Sequence, residues 1–321
     1  MKSLLNHSRN RIGSPIFFFY FAILFVFAMI FNMYDPKTNK FPYPLDTGSH
    51  YLVVKKDNGN VYDENYPYID RTFWFRFRQF LVRIVCAIVV YPITYIRLGL
   101  RVKGRKNLRK NRKLLKQGAV SVCNHVHMWD YLGIKAGLWP RKTNILSWDK
   151  NISGENGPLI RMVGGIPIPT QNMRGFAKFC RSTIDLVKNG GWLHIAAEAS
   201  MWEYYAPIRP FKDGAAYFAY KADRPLVPMA FSYRPVGWLR KKIFKQIAKF
   251  TLTIGEPLFV DKSLPQSEAI EKLTIEAHEA VCALAGFKKG ENIYEPLYNK
   301  DSSKRIDYYT SEYGVGYKGS W

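Results

Sequence analysis

Between residues 118 and 288 the chain alternates short apolar runs with stretches of helical periodicity, and this alternation leaves few folds open. Val120–Cys123, Asn144–Ser147, Trp192–Ala197, Leu226–Phe231 and Phe250–Ile254 have the length and composition of strands. Trp129–Leu138, Gly157–Met162, Arg174–Asn189, Gly214–Ala222 and Glu268–Ala285 carry apolar residues at helical spacing. Helical crossovers join parallel strands, so the expected fold class is α/β: a mostly parallel central sheet flanked by helices, with N-terminal membrane-associated helices ahead of it.

Those helices are read from two apolar stretches. Pro15 to Tyr34 carries no charged residue until Asp35 and is long enough to cross a bilayer. Lys2, Arg9 and Arg11 precede it, and no A-x-A-like site follows, so an uncleaved anchor is favoured over a signal peptide. The second stretch, Phe80 to Leu100, is framed by Arg83 and Arg97, and it either spans with snorkelling arginines or lies in the interface. The expected organisation is an anchor at 1–34, a polar linker or exoplasmic loop at 35–72, and a second membrane-associated helix with a basic segment at 73–117. The α/β domain follows at 118–288, then an irregular tail at 289–321.

Charge points to the same partner. The formal net charge is +23, with nine Lys and Arg between Arg101 and Lys116, directly after the second apolar stretch. Such a surplus attracts nucleic acid or anionic lipid; the neighbouring apolar segments and the lack of any nucleic-acid motif favour membrane lipids over nucleic acid. Cys86, Cys123, Cys180 and Cys282 are widely spaced, which reads as free thiols in a reducing compartment. The expected location is therefore the membrane, with the α/β domain facing the cytoplasm.

The chemistry is concentrated in Cys123-Asn124-His125-Val126-His127-Met128-Trp129-Asp130. A histidine on a strand-to-helix turn with a carboxylate at the helix start makes a general base with an orienting partner. On one continuous helix, five residues turn through about 140°, too far for the side chains to meet, so the pair is expected to span the turn. Asn124 is read as a cap for the helix that follows. His127 completes a His-x-His, but without further ligands clustered nearby no metal is expected. Ser200, in Glu198-Ala199-Ser200-Met201-Trp202, lacks the G-x-S-x-G elbow of an esterase nucleophile.

The order of the blocks is more specific than any one of them. Gly164-Gly165-Ile166-Pro167-Ile168 comes after the histidine block, then Glu198, then Phe211-Lys212-Asp213-Gly214, then Val227-Pro228. Together with Gly104-Arg105-Lys106-Asn107-Leu108 upstream, this resembles the glycerolipid (lysophospholipid) acyltransferase family of the 1-acylglycerol-3-phosphate acyltransferase type, over roughly residues 78 to 260. That family carries Asn-His, four residues, then Asp; next a Gly-x-Ile/Phe-x-Ile block; then Glu-Gly-Thr-Arg-Ser; then Phe-Lys-x-Gly.

The resemblance implies a membrane enzyme that moves an acyl group from a thioester to a hydroxyl of a lysophospholipid. The donor would be acyl-CoA or acyl carrier protein, acting as co-substrate, and no cofactor is implied. His125 and Asp130 would be catalytic; Glu198, Lys212, Gly214 and Gly165 would serve the substrate. Val227-Pro228 is expected to end or bend a core strand. Met201 and Thr170 stand about where the family has arginines that help hold the acceptor's phosphate. Arg161, Arg174 and Arg209 are the candidates to stand in. If they do not, the acceptor is an unphosphorylated lipid or glycan hydroxyl; the altered glutamate block separately leaves open an inactive lipid-binding module, against which the intact His125 and Asp130 argue. The sequence carries no sign of oligomeric state.

Overall fold

The computed structural model describes residues 59–292 except 206, 245 and 247. The expected anchor at 15–34 and the tail beyond 292 lie outside these residues. A seven-stranded sheet runs in the order β1-β7-β6-β2-β5-β3-β4. Its strands are β1 Arg101–Lys103, β2 Ala119–Cys123, β3 Thr143–Trp148, β4 Gly165–Ile168, β5 Trp192–Ala196, β6 Leu226–Arg234 and β7 Lys249–Ile254. Every neighbouring pair is parallel except β6 with β7. The expected mostly parallel α/β fold is the one observed, and the central strand β2 is buried at all five positions, as a sheet covered on both faces requires.

The two coverings place the functional crevice. The helix Asp130–Leu138, which follows β2, contributes Leu132, Ile134 and Leu138 to one apolar cluster. The helix Gly214–Ala222, which follows β5, contributes Ala215, Phe218 and Ala219 to the other cluster, with Phe179, Leu273 and Val281. The helices that follow two adjacent strands thus cover opposite faces of the sheet, and a crevice lies at the carboxyl ends of those strands.

Three features depart from the sequence reading. β1 and β4 were not expected as strands. β1 is Arg-Val-Lys, and β4 contains Pro167; both are edge strands, where a charged or proline-bearing segment costs the ladder little. Because β1 pairs with β7, the α/β unit begins before residue 118, and Arg105 ties it further by donating to the Ala136 and Gly137 carbonyls at the end of the helix that starts at Asp130. Val227-Pro228 does not end its strand. β6 continues to Arg234, and Pro228 sits where pairing passes from β2 to β7, where its missing N–H is least costly.

The second apolar stretch forms one continuous helix, Phe73–Arg97, long and apolar enough to cross a membrane. Gln79, Val82, Cys86, Val90, Tyr91 and Thr94 face the protein, while Phe73, Trp74, Phe80, Ile84, Ile88 and Ile96 stand exposed on other faces. Residues 59–72 belonged to the expected linker or exoplasmic loop. They instead pack on the α/β unit: Tyr68 is buried against Phe179, the Tyr62 hydroxyl lies 2.9 Å from Ser153 Oγ, and Arg161 donates to the Pro67 and Tyr68 carbonyls.

A polar thread crosses the core between β2 and β5. Trp192 Nε1 donates to Ser121 Oγ at 2.8 Å, Ser121 Oγ lies 3.0 Å from His194 Nδ1, and His194 Nε2 lies 3.5 Å from Cys123 Sγ. Burial, then the nearby His125 and Lys135, pushes the His194 imidazole down to about 3. The unfolded imidazole takes a proton near 6.5 while the folded one does not until about 3, so stability is lost as pH falls through that window. Replacing His194 with Gln should flatten the acid side of a Tm-against-pH curve, recovering roughly 3 kcal/mol of the wild type's loss between pH 6.5 and 4. A variant curve parallel to wild type would contradict this.

Candidate active site

His125 stands in the turn between β2 and the helix that begins at Asp130, so the pair does span the turn. His125 Nδ1 lies 2.6 Å from Asp130 Oδ2, and the same oxygen accepts the Val126 N–H at 3.1 Å. The carboxylate sits in the first turn of its helix, where the backbone dipole favours negative charge. Asp130 is 4% exposed at its side chain and His125 is 27% exposed, so the acid is enclosed while the imidazole reaches the crevice. With Nδ1–H donating to the carboxylate, Nε2 presents a lone pair able to take a proton.

The backbone beneath this ring is held by Glu198, two residues past β5. Its Oε2 accepts the His125 N–H at 2.9 Å. Its Oε1 accepts the Arg209 N–H at 2.8 Å, and Oε2 also pairs with Arg209 Nη2 at 3.0 Å. The segment after Glu198 then lies against the histidine turn, with Trp202 N–H donating to the His125 carbonyl and Tyr204 N–H to that of Val126. Glu198 therefore joins the ends of β2 and β5 and the Arg209 segment; both carboxylate oxygens are turned to the protein.

Arg209 was a candidate to hold an acceptor phosphate, and the structure places it otherwise. It is 1% exposed, forks onto Glu198 and Ser200, and stacks 4.6 Å from the Trp202 ring centroid. A buried guanidinium needs a buried partner, and Glu198 supplies it. Arg161 is bound to three backbone carbonyls, and the Thr170 hydroxyl donates to Asp149 at 2.7 Å. Arg174 is 84% exposed at its side chain and lies 3.8 Å from Glu64. Lys212 is exposed in the segment after Glu198, its N–H fixed to the Ala197 carbonyl.

The glycines separate as well. A Cβ on Gly165 would approach Ile160 Cγ2 to 2.5 Å, so this residue is a packing glycine, and it lies at the amino end of β4, away from His125. Gly214 opens the helix Gly214–Ala222 in free space, where a Cβ would meet nothing within 4 Å. Asn124 does not cap the helix; its amide exchanges two hydrogen bonds with Phe231 of β6, locking the strand beside the histidine. Ser200, the rival nucleophile, is fully buried with its Oγ on Arg209.

His127 and Glu203, which sequence reasoning left without a role together, form a buried pair at 3.5 Å beneath the turn. His127 Nδ1 accepts the Trp129 N–H, and burial, then Arg97 and His125, pushes its imidazole down to about 3. Burial raises Glu203 to about 7 against the pull of Arg97. No spacing motif announces this pair, because it forms between two loops.

The loop after Glu198 is strained. Ala199 has φ 67° and Tyr204 φ 58°, in the left-handed region that disfavours side chains. Ala199 occupies the position where the related pattern has glycine, so Ala199→Gly should relieve the strain. Chemical denaturation should show a gain of about 0.5–1 kcal/mol; a loss of stability would mean that the alanine methyl is needed for packing.

Residues 99–232 match the Acyltransferase family model. No curated protein matches the chain. Among solved structures the chain is similar to the 1-acyl-sn-glycerophosphate (LPA) acyltransferase PlsC from Thermotoga maritima, at 16% identity and a TM-score of 0.42, over 66% of this chain and 84% of that one. The matched residues run from just before β1 into β6 and contain His125, Asp130, Glu198 and Arg209, so the stretch that is similar to the acyltransferase family holds the whole of this site.

Proposed function

We propose that the chain transfers an acyl group from an acyl thioester, acyl-CoA or acyl carrier protein, to a hydroxyl of a lysophospholipid, 1-acylglycerol-3-phosphate foremost. The observation that carries this reading is the 2.6 Å contact of a partly exposed imidazole with an enclosed carboxylate at the carboxyl end of β2. His125 Nε2 takes the proton of the acceptor hydroxyl as that oxygen attacks the thioester carbonyl carbon. Asp130 holds the ring and stabilises the imidazolium. When the carbon–sulfur bond breaks, the imidazolium returns the proton to the departing thiolate, leaving an ester and a free thiol. The acceptor is itself the nucleophile, which is consistent with the burial of Ser200.

A second reading of the acceptor has its own support. Arg209 and Arg161 are bonded inside the protein, and Met201 is 7% exposed, so the Glu198 loop offers no arginine fork to a phosphate. An unphosphorylated lipid or glycan hydroxyl then fits this loop, with Lys212 the exposed cation available on it if the acceptor does carry phosphate.

One assay tests both. Purified protein given labelled acyl thioester should lose about 10²–10⁴-fold in turnover with His125→Ala, and a large part of that with Asp130→Asn, while remaining folded. Full turnover in folded His125→Ala would end the proposal. Within an acceptor panel, lysophosphatidic acid turnover that falls in Lys212→Ala supports the phosphorylated acceptor. Preference for a phosphate-free lysolipid, indifferent to Lys212, supports the second reading.

We also infer that the domain attaches to the membrane from one side. Residues 59–72, ahead of the helix Phe73–Arg97, and the domain after it pack together, so the helix lies along the domain with its exposed apolar residues toward lipid. With the domain in the cytoplasm, as its four free thiols favour, residues 15–34 either cross with the amino terminus outside or re-enter the same face. Cysteines introduced at Glu64 and Glu271 should react with an impermeant maleimide from the same side of sealed membrane vesicles. Labelling from opposite sides would make Phe73–Arg97 a true span.

A further inference from the structure

A second cavity lies at the other end of the strands. Its walls come from the helix Phe73–Arg97, the helix Asp130–Leu138, residues 141–143 and residues 162–164, and it is a narrow cleft open to solvent. Thr143, in its wall, is the first residue of β3 and pairs with Trp192, the first of β5. The cavity therefore sits at the amino ends of these strands, whereas His125 and Glu198 follow the carboxyl ends of theirs.

Four of its lining side chains are cations, Arg83, Lys135, Arg141 and Lys142, and none of the lining residues is an acid. Lys135 is only 7% exposed, and its ammonium donates to the Thr143 carbonyl. Arg83 Nη2 donates to the Pro140 carbonyl at 3.0 Å, and Arg141 reaches the Leu115 and Leu108 carbonyls at 3.5 and 3.4 Å. These bonds hold the cations in position and neutralise none of them. The Thr143 hydroxyl is buried without a hydrogen-bond partner. At Gly164 a Cβ would stand 3.5 Å from Lys135 Nζ, so the glycine leaves room beside the ammonium.

A cation withdrawn from water beside like charges is costly unless an anion accompanies it. Burial, offset in part by Cys86 and reinforced by Arg83 and Lys142, pushes Lys135 down to about 7. We propose that this cavity binds a phosphate group, carried by an anionic phospholipid head or free in solution, with Lys135, Arg83, Arg141 and Lys142 as its counter-charges and Thr143 as a neutral donor. The mouth suits either source. Trp139, 41% exposed, lies under the Arg83 guanidinium at 5.7 Å, and the neighbouring Phe80 and Ile84 are exposed, so apolar and cationic groups meet at one rim.

The test uses the full chain in detergent, titrated with inorganic phosphate against chloride at equal ionic strength, and flotation with phosphatidylcholine vesicles with and without phosphatidylglycerol. Phosphate should raise the wild-type Tm beyond chloride. Lys142→Ala, an exposed position that leaves the core intact, should weaken the phosphate response about tenfold, the loss expected for one charge-assisted hydrogen bond. Lys135→Met should remove the response while keeping or raising the Tm without phosphate, because a buried charge has been replaced by an apolar chain. If the extra affinity for phosphatidylglycerol vesicles falls in the same two variants, the source is a lipid head group; if only the response to inorganic phosphate falls, the source is free phosphate. A wild type that does not distinguish phosphate from chloride and whose vesicle binding is unchanged by both variants overturns the proposal, as do phosphate responses that both variants retain in full.

Discussion

One buried carboxylate organises the site. Glu198 is withdrawn from water, so its charge must be met by fixed donors, and the donors it takes are the backbone of His125 and both the backbone and side chain of Arg209. That requirement draws together the end of β2, the end of β5 and a segment eleven residues further on. The imidazole can then be partly exposed without being loose, because its backbone is held from below by Glu198 and its ring from the side by Asp130. In the proposed reaction, preorganisation of this kind would set the proton acceptor before the substrate hydroxyl arrives.

The same economy explains where sequence and structure part. The alternation of apolar runs and helices is set by local periodicity, and its strands and helices recur in the structure with ends shifted by up to three residues. The His125–Asp130 contact was legible too, because a strand, a turn and a helix start follow one another in a few residues. Arg209 was not legible as a structural partner. Nothing in Ile208-Arg209-Pro210 shows that its side chain runs inward to a glutamate on another strand end; only the closed fold brings the two together. Asn124 shows the same limit, since its partner Phe231 is 107 residues away and a helix cap was the local alternative. Edge strands β1 and β4 escaped because edges are where strand-like composition is least required.

The departures from the related glutamate block also acquire a physical meaning. With Met201 in place of an arginine, the loop is apolar and aromatic: Met201, Trp202, Tyr204 and Tyr205 are all buried, and Tyr204 packs among His127, Tyr233 and Phe250. Left-handed backbone at Ala199 and Tyr204 persists because this packing and the two hydrogen bonds to residues 125 and 126 hold the loop in place. A loop fixed in this way can shape a pocket wall, but it cannot extend a charged fork toward a ligand. In the proposed reaction, any phosphate on the acceptor would have to be met by a side chain that is still exposed, and Lys212 is the one this segment presents.

Charge in the chain is thus divided between two ends of one sheet. At the carboxyl ends, Arg209 is paired internally with Glu198, which leaves Lys212 as the exposed cation of that segment. At the amino ends, Arg83, Lys135, Arg141 and Lys142 line a cavity without an acid among its walls. The helix Phe73–Arg97 passes over that second region with apolar residues on its outer side. Basic groups beside an apolar surface are attracted to an anionic leaflet, and such an attraction would orient a domain as well as bind it. If the helix lies in the lipid surface and the basic cavity faces head groups, the orientation of the crevice is fixed by the sheet itself, since both sites are built on its strands. Membrane attachment and acyl transfer would then be coupled through geometry alone, without a moving part.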